Sequence, residues 1–406
     1  MQDSLEIPAH LNQMLDPYEL VDPLREASPV CRVRNAEGLD AWMITRHADV
    51  VRVLTDARFS VDSRNAAVTA RQTIEATHSR TVESFADSIL ATDPPEHTWI
   101  RKAVARGLTP NRLRELRVFI TETIEQLLAR LDGATQFDLV ADFASPLSLQ
   151  VSAHLMGVPT DDLPQLARWS YDLMLMPKDQ SARTTADAGM AQLEDYFRAL
   201  IERHSPHANH DLLATLIAAR DAGEITPAQL LATAKFVFVA AHDTTGALIS
   251  ATMFHVLRQN GALNSLVSDP RLISNAIEEC LRFDTPVPLP VTFFATENVT
   301  LGGVTIAAGD QVFAAIGAAN RDPRVVETPA EFHIQREHPA HLSFGLGIHY
   351  CLGAQLARLE ASAALEALIE HHPHLRLAVP AHKVPWRPTV TRVLHALPVV
   401  SSPPYE

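Results

Sequence analysis

Cys351 has the most chemistry gathered around it. It stands in the run His341-Leu-Ser-Phe344-Gly345-Leu-Gly347-Ile-His349-Tyr-Cys351-Leu-Gly353. A lone cysteine is usually a small buried hydrophobe, and Cys31 and Cys280 are read that way and given no role. Cys351 differs in its neighbours. Gly345 and Gly347 let the backbone pass close to something large and flat, or adopt positive φ. A helix is predicted from Cys351 to about His371, with Leu352, Leu356 and Leu359 on one face and Pro373 beyond its end. At a helix start, free backbone N–H groups and the positive dipole end stabilise a thiolate. A thiolate so placed, behind a tight glycine loop, suits an axial metal ligand. Zinc would need several Cys or His ligands at short spacing; His349 is the one nearby candidate, and two residues do not make a site.

A second set of polar groups sits where the pattern argues against them. Thr226-Pro227 is a good helix start and Asn260-Gly261 a good stop. About 33 residues between them would span roughly 50 Å. Ala234–Ala241 (AKFVFVAA) is almost wholly apolar, so the helix should be buried. Yet His242-Asp243-Thr244-Thr245 lies at its centre, and a buried carboxylate is costly unless paired or hydrated. One reading has Thr244 bonding back to the Ala240 carbonyl while Asp243 finds a distant arginine. The other is a proton relay facing a cofactor.

The elements that must position these groups follow from pattern and composition. The chain has 406 residues, 47% hydrophobic, with formal net charge -14. Length alone allows two or three domains. The acidic balance argues against a nucleic-acid binder and against attraction to anionic membrane. Three cysteines far apart form no CxxC pair or secreted-type framework, so a reducing compartment is expected. The first residues lack the basic flank and apolar run of a signal peptide, and no stretch reaches roughly 18 apolar residues; a soluble, cytoplasmic protein is expected. Residues 29–45 alternate enough to predict a hairpin turning near Glu37-Gly38, and Val50, Val51, Val53 and Leu54 mark a short amphipathic helix. Residues 61–91 read as a loop with short helical pieces. From Pro94 to about Thr245 helix follows helix; Leu116, Ile120, Ile124 and Leu127 keep the spacing, as do Leu193, Phe197, Leu200 and Ile201. A second β-rich patch spans about 287–315, turning at Gly302-Gly303, and 316–345 read as irregular. The expectation is a mainly α chain with small β-sheets, forming a single domain over 1–406.

The cysteine segment resembles the haem-binding loop of the cytochrome P450 family, FGxGxHxC followed by glycine, and every fixed position is present, including Phe344, Gly345, Cys351 and Gly353. Further family motifs appear in order along nearly the whole chain. Asp93-Pro-Pro-Glu-His97-Thr-Trp-Ile-Arg101 resembles the HxxxR helix, whose His and Arg hold haem propionates. Ala240-Ala-His-Asp243-Thr244-Thr resembles the oxygen-activating motif. Glu279-Cys-Leu-Arg282 resembles the ExxR pair that braces the haem loop, and Asn320-Arg321-Asp322-Pro323 the meander before it. His341 matches another propionate contact. The chain departs from the pattern at three places. Ala241 replaces the usual Gly before the acid–alcohol pair. Phe293 stands where an Arg commonly meets the propionates, leaving that set one cation short. Glu331 stands where the third member of the ExxR triad is often found, and Arg336 is the expected substitute.

The resemblance implies the cytochrome P450 fold, with haem b (iron protoporphyrin IX) between the long central helix and the Cys-loop helix. Cys351 would be the metal ligand, its thiolate pushing electron density toward O–O cleavage. Asp243 and Thr244 would be catalytic, and His97, Arg101, His341, Phe344, Gly345, Cys351 and Gly353 would bind the cofactor. The implied reaction inserts one oxygen atom from O2 into a hydrophobic small molecule such as a polyketide, terpenoid or steroid. Electrons must come from outside, because no flavin or iron–sulfur segment is present; a ferredoxin and ferredoxin reductase are expected. Arg101, Lys102, Arg106, Arg112, Arg114 and Arg117 would make the docking face. The pocket should draw on residues 61–91, Met174 and Met176, Val239, Ala240, Thr244, Leu289–Thr292 and Thr389-Val390. Two alternatives stand beside this: a haem-thiolate protein that performs oxidative coupling, peroxide-driven oxidation or ligand sensing, and a non-haem binding protein in which Cys351 is structural.

Overall fold

The structure is a computed structural model that describes residues 5–6, 14, 16–34, 39–68, 84–175, 180–204, 211–289, 292–337 and 339–401. Its longest helix, Pro227–Arg258, has the sequence-predicted start: Thr226 and Gln229 form a reciprocal capping box, with Pro227 in the first turn. Around this central helix pack Ser145–Met156, Gln180–Arg203, Leu212–Asp221, Leu272–Phe283 and Ala354–His371. Their apolar faces merge into one large core that includes Leu116, Ile120, Ile124, Leu193, Phe197, Phe238 and Phe254. The apolar run in the central helix carries a buried ammonium: Lys235 Nζ lies 3.1 Å from Glu194 on Gln180–Arg203, and Ser84 donates to the same carboxylate. No helix among the described residues is long and apolar enough to cross a membrane.

The β structure is small and peripheral. Val30–Arg34 and Asp40–Ile44 pair antiparallel as predicted, in the register Val30 with Ile44; the turn expected at Glu37-Gly38 lies outside the described residues. Asp40–Ile44 then pairs parallel with Gln311–Ala314, and that strand pairs antiparallel with Thr292–Ala295. Val299–Leu301 and Val304–Ile306 form the second hairpin, turning on Gly302 and Gly303 at φ of 56° and 80°. Residues 316–345 are irregular apart from the short helix Ile316–Ala319. Between Pro94 and Thr245 the helical run is interrupted by a strand, Gln136–Asp138.

One expected boundary moves. The helix after the cysteine runs Ala354–His371, not from Cys351. Gly353 is its N-cap, so Cys351 sits one turn ahead of the helix. The dipole argument survives only in part: the Gly353 and Ala354 amides favour the thiolate, but desolvation outweighs them and the thiol pKa is raised.

A buried brace fixes the loop that carries Cys351. Glu279 and Arg282, at i and i+3 on Leu272–Phe283, are fully buried and pair through two bonds of 2.8 Å. Arg282 also donates to the carbonyls of Asn320, Pro329 and Glu331. Asn320 in turn accepts from the Leu342 amide at 2.7 Å and donates to Ser343 Oγ at 2.8 Å. Arg336 completes the triad as expected, its Nε 3.1 Å from Glu279, while Glu331 contributes only its backbone carbonyl.

Candidate functional site

The cysteine loop is built by its own hydrogen bonds and two left-handed glycines. The Gly345 amide donates to Leu342 O at 2.7 Å, and the Cys351 amide closes the loop onto Phe344 O at 2.8 Å. Gly345 and Gly347 have φ of 70° and 71°. At Gly347 space is a second constraint, because a Cβ would come 2.6 Å from the Leu54 carbonyl oxygen. Phe344 packs under Arg358, whose guanidinium lies 4.4 Å from the ring centroid. Burial raises the pKa of the Cys351 thiol. The amides of Gly353 and Ala354 and the cations of Arg101 and Arg358 act in the opposite direction, toward thiolate.

The HxxxR helix, Glu96–Arg106, lies against this loop. Arg101 donates to Tyr350 O at 2.8 Å. His97 is buried and its ring centroid is 4.3 Å from that of His349. Each of these histidines has a buried Nε2 with no hydrogen-bond partner. Burial and the neighbouring cations hold both near neutrality; His349 is lowered to about 4 by burial, His97 and Arg101. Buried polar atoms are rarely left unpaired, so two orphaned ring nitrogens beside a guanidinium mark a place built for an anionic group. His349 entered the sequence reading as a rejected zinc ligand and as the histidine of the FGxGxHxC motif, with no cofactor contact assigned to it. Its meeting with His97 joins segments far apart in the chain, which is why local spacing did not reveal it.

His341 is not brought to this group. Its Nε2 lies 3.0 Å from Glu278 and its Nδ1 accepts from the Ser343 amide, so both ring nitrogens are committed. Glu278 is held at the same time by Arg358 through bonds of 2.6 and 2.9 Å. His341 therefore ties the loop to Leu272–Phe283, and it is His349, not His341, that lies beside His97. Phe293 is also away from polar company. It lies in Thr292–Ala295 opposite Val312 and is buried in the apolar cluster with Val30, Ile44 and Val53.

On the central helix the stretch Ala240–Thr244 is only half-buried, whereas Phe238, Val239 and Thr245–Val256 are buried. Thr244 Oγ1 donates to Ala240 O at 2.7 Å. Asp243 accepts from Thr391 Oγ1 at 2.7 Å and lies 3.7 Å from Arg387 Nη1. Arg387 is the distant arginine, and the Thr244 bond to Ala240 O the back-bond, of the first sequence reading; Thr391 was not read from the sequence. The helix stays α-helical through Ala241. Among the expected pocket residues, Met174 and Val390 meet through a backbone bond of 3.1 Å. Met176, much of 61–91 and part of Leu289–Thr292 lie outside the described residues.

The donor set fits a haem. One sulfur on a glycine-shaped loop, with two amides and two cations favouring its thiolate, could ligate the iron, and His97, His349 and Arg101 suit the propionate carboxylates. Among the described residues no group of three or more His, Cys, Asp or Glu is arranged to hold a metal ion by itself. Fold and site together define a haem-thiolate enzyme. Comparison with known proteins agrees: the cytochrome P450 family profile matches residues 164–375. Nocardicin C N-oxygenase of Nocardia uniformis subsp. tsuyamanensis is 38% identical over 92% of this chain and 92% of its own. Cytochrome P450 monooxygenase PikC of Streptomyces venezuelae is 37% identical over 95% of this chain and 91% of its own. The solved structure of myxobacterial CYP267B1 in complex with myristic acid superposes with a TM-score of 0.90 at 32% identity, covering 96% of this chain and 97% of that one. CxnD, a P450 for C–S bond formation in chuangxinmycin biosynthesis, superposes with a TM-score of 0.88 at 30% identity over 98% and 97%. The chain belongs to the cytochrome P450 family and is a monooxygenase, an oxidoreductase.

Proposed function

We propose that the chain, acting as one domain over 1–406, inserts one oxygen atom from O2 into a hydrophobic small molecule by hydroxylation or epoxidation. Haem b, when bound, supplies the oxygen-activating and radical chemistry. Cys351 ligates its iron as a thiolate, donating electron density. His97, Arg101 and His349 hold the propionates. Phe344, Gly345 and Gly353 shape the loop and bring its backbone close to the ring, and His341 steadies it through Glu278. Asp243 would carry protons inward from water, and Thr244 would leave the Ala240 carbonyl and turn its hydroxyl toward O2. General acid–base help of this kind contributes roughly 10²–10⁴-fold. The observation that carries the reading is the acid–alcohol pair itself, set in the half-buried stretch Ala240–Thr244 between buried Phe238-Val239 and buried Thr245–Val256.

Electrons come from a ferredoxin and its reductase, docking near the cysteine loop. The substrate is apolar and of medium size; the myristic acid of CYP267B1 is one ligand of that kind. The test begins with a library of such compounds, screened by the Soret spin shift. A binder is then turned over with ferredoxin, ferredoxin reductase and ¹⁸O2. One ¹⁸O atom in the product is expected. An oxidised, coupled product without ¹⁸O would replace oxygen insertion by the bond-forming chemistry of which CxnD is an example.

A further inference from the structure

Asp243 does not stand free above the cysteine loop. Its Oδ2 accepts from Thr391 at 2.7 Å, and its Oδ1 lies 3.7 Å from Arg387. Thr391 is itself fixed: it is buried, and its carbonyl accepts from buried Thr389 at 2.9 Å. Arg387 is held by its backbone, donating to Val393 O at 2.8 Å, and its guanidinium sits 5.4 Å from the Tyr171 ring. Its Nε is buried without a partner. Arg387 thus holds the carboxylate by charge at ion-pair distance, leaving the hydrogen bond to Thr391. That division suits a carboxylate that must be aimed yet able to turn.

The segment bearing these two residues also borders the expected pocket. Between them the chain bonds to the end of Leu163–Met174: the Val390 amide donates to Met174 O, and Leu175 bridges Thr389. Val390 itself is exposed.

We propose that Thr391 and Arg387 are positioning residues for proton supply, aiming the Asp243 carboxylate. This rests on the reading that Asp243 delivers protons. The acidic group is then not governed by the central helix alone. Removing the Thr391 hydroxyl leaves Asp243 Oδ2 without its donor and lets the side chain wander, and a small loss of aim in a proton-transfer group is expensive.

The test uses haem-loaded wild type, Thr391→Val, Thr391→Ser, Asp243→Asn and the double variant Thr391→Val/Asp243→Asn. Measured for each are product per electron consumed, the solvent isotope effect on turnover, and substrate affinity by spin shift. Thr391→Val should lower turnover roughly tenfold and raise the solvent isotope effect, with affinity kept; Thr391→Ser should restore both. The double variant should be no slower than Asp243→Asn, because residues acting as a unit are not additive. A double-mutant cycle on urea unfolding should show the same pair coupled in the absence of turnover. An impaired Asp243→Asn beside an unaffected Thr391→Val overturns the positioning proposal alone. A wild-type Asp243→Asn overturns the proton-delivery reading and this proposal with it. If Thr391→Val does not fold, Arg387→Gln takes its place: an unchanged isotope effect there overturns the proposal, and a raised one restored by Arg387→Lys supports it.

Discussion

Glu360 is a carboxyl with nowhere to put a charge. It lies on Ala354–His371 with its side chain in the core, and its Oε1 has no hydrogen-bond partner. Burial raises its pKa from 4.5 to about 8. In the unfolded chain the group loses its proton near 4.5, whereas in the folded chain it keeps it until about 8. The contribution of Glu360 to stability is therefore full below the lower value and is lost as pH rises through that window. A shift of this size corresponds to a few kcal/mol, on the order of 1.4 per unit. Glu360→Gln should remove most of that slope and be more stable than wild type at pH 8.5. Urea midpoints at pH 5 and 8.5 check this; parallel pH curves for the two proteins would rule it out. Cys351 carries the matching prediction for chemistry. Cys351→Ala should lose the red-shifted Soret band of the reduced carbon monoxide complex, because no other sulfur lies on that loop; a retained band would move the ligand elsewhere.

At the scale of elements, the brace of Glu279, Arg282 and Arg336 and the strand carrying Phe293 make opposite demands. Glu279→Gln leaves two guanidiniums facing a neutral amide, one of them fully buried, and breaking a buried pair costs about 3–5 kcal/mol. Chemical denaturation should show that loss, with haem content falling alongside; a change within 0.5 kcal/mol, the usual size for surface sites, would deny the brace its role. Phe293→Arg should also destabilise, since the charge would enter an apolar cluster with no acid in it. A variant that keeps wild-type stability and loses haem more slowly to apomyoglobin would show that the new side chain reaches a propionate after all. Much of this was legible in the sequence. Capping of the central helix by Thr226 with Pro227 after it, the Gly302-Gly303 turn and the ExxR pair depend on neighbours within a few residues, which spacing reveals. What stayed hidden depends on partners distant in the chain. The pairing of His97 with His349, the grip of Thr391 on Asp243, and the commitment of His341 to Glu278 are of this kind. The helix start at Ala354 was misplaced because the Leu352-Gly353 turn keeps helical spacing without being helical.

The whole molecule is acidic, with net charge -14, yet the edge beside the cysteine loop is not. Lys102 and Arg106 are exposed there, together with the large apolar side chains of Trp99, Ile348 and Tyr350. Arg101 joins the two segments through Tyr350 O. Arg106 is paired with Glu224 and Arg112 with Glu115, which leaves Lys102 the better candidate for a partner's carboxylates. Lys102→Glu should slow reduction by the cognate ferredoxin about tenfold at low salt, a difference that shrinks as ionic strength screens it, with haem content intact. Arg101→Glu should damage both. Equal reduction rates for Lys102→Glu and wild type at low salt would put the docking face elsewhere.

The anchoring of the cysteine loop bears on how the enzyme is assembled in the cell. Asn320 holds Leu342 and Ser343, Arg282 holds Asn320, and Glu278 with Arg358 holds His341; every one of these bonds is between protein groups. The cradle can thus take shape during synthesis, before any prosthetic group arrives. A newly made chain waiting for its cofactor would keep this cradle folded and offer less to degradation than one whose loop depended on the cofactor for its shape.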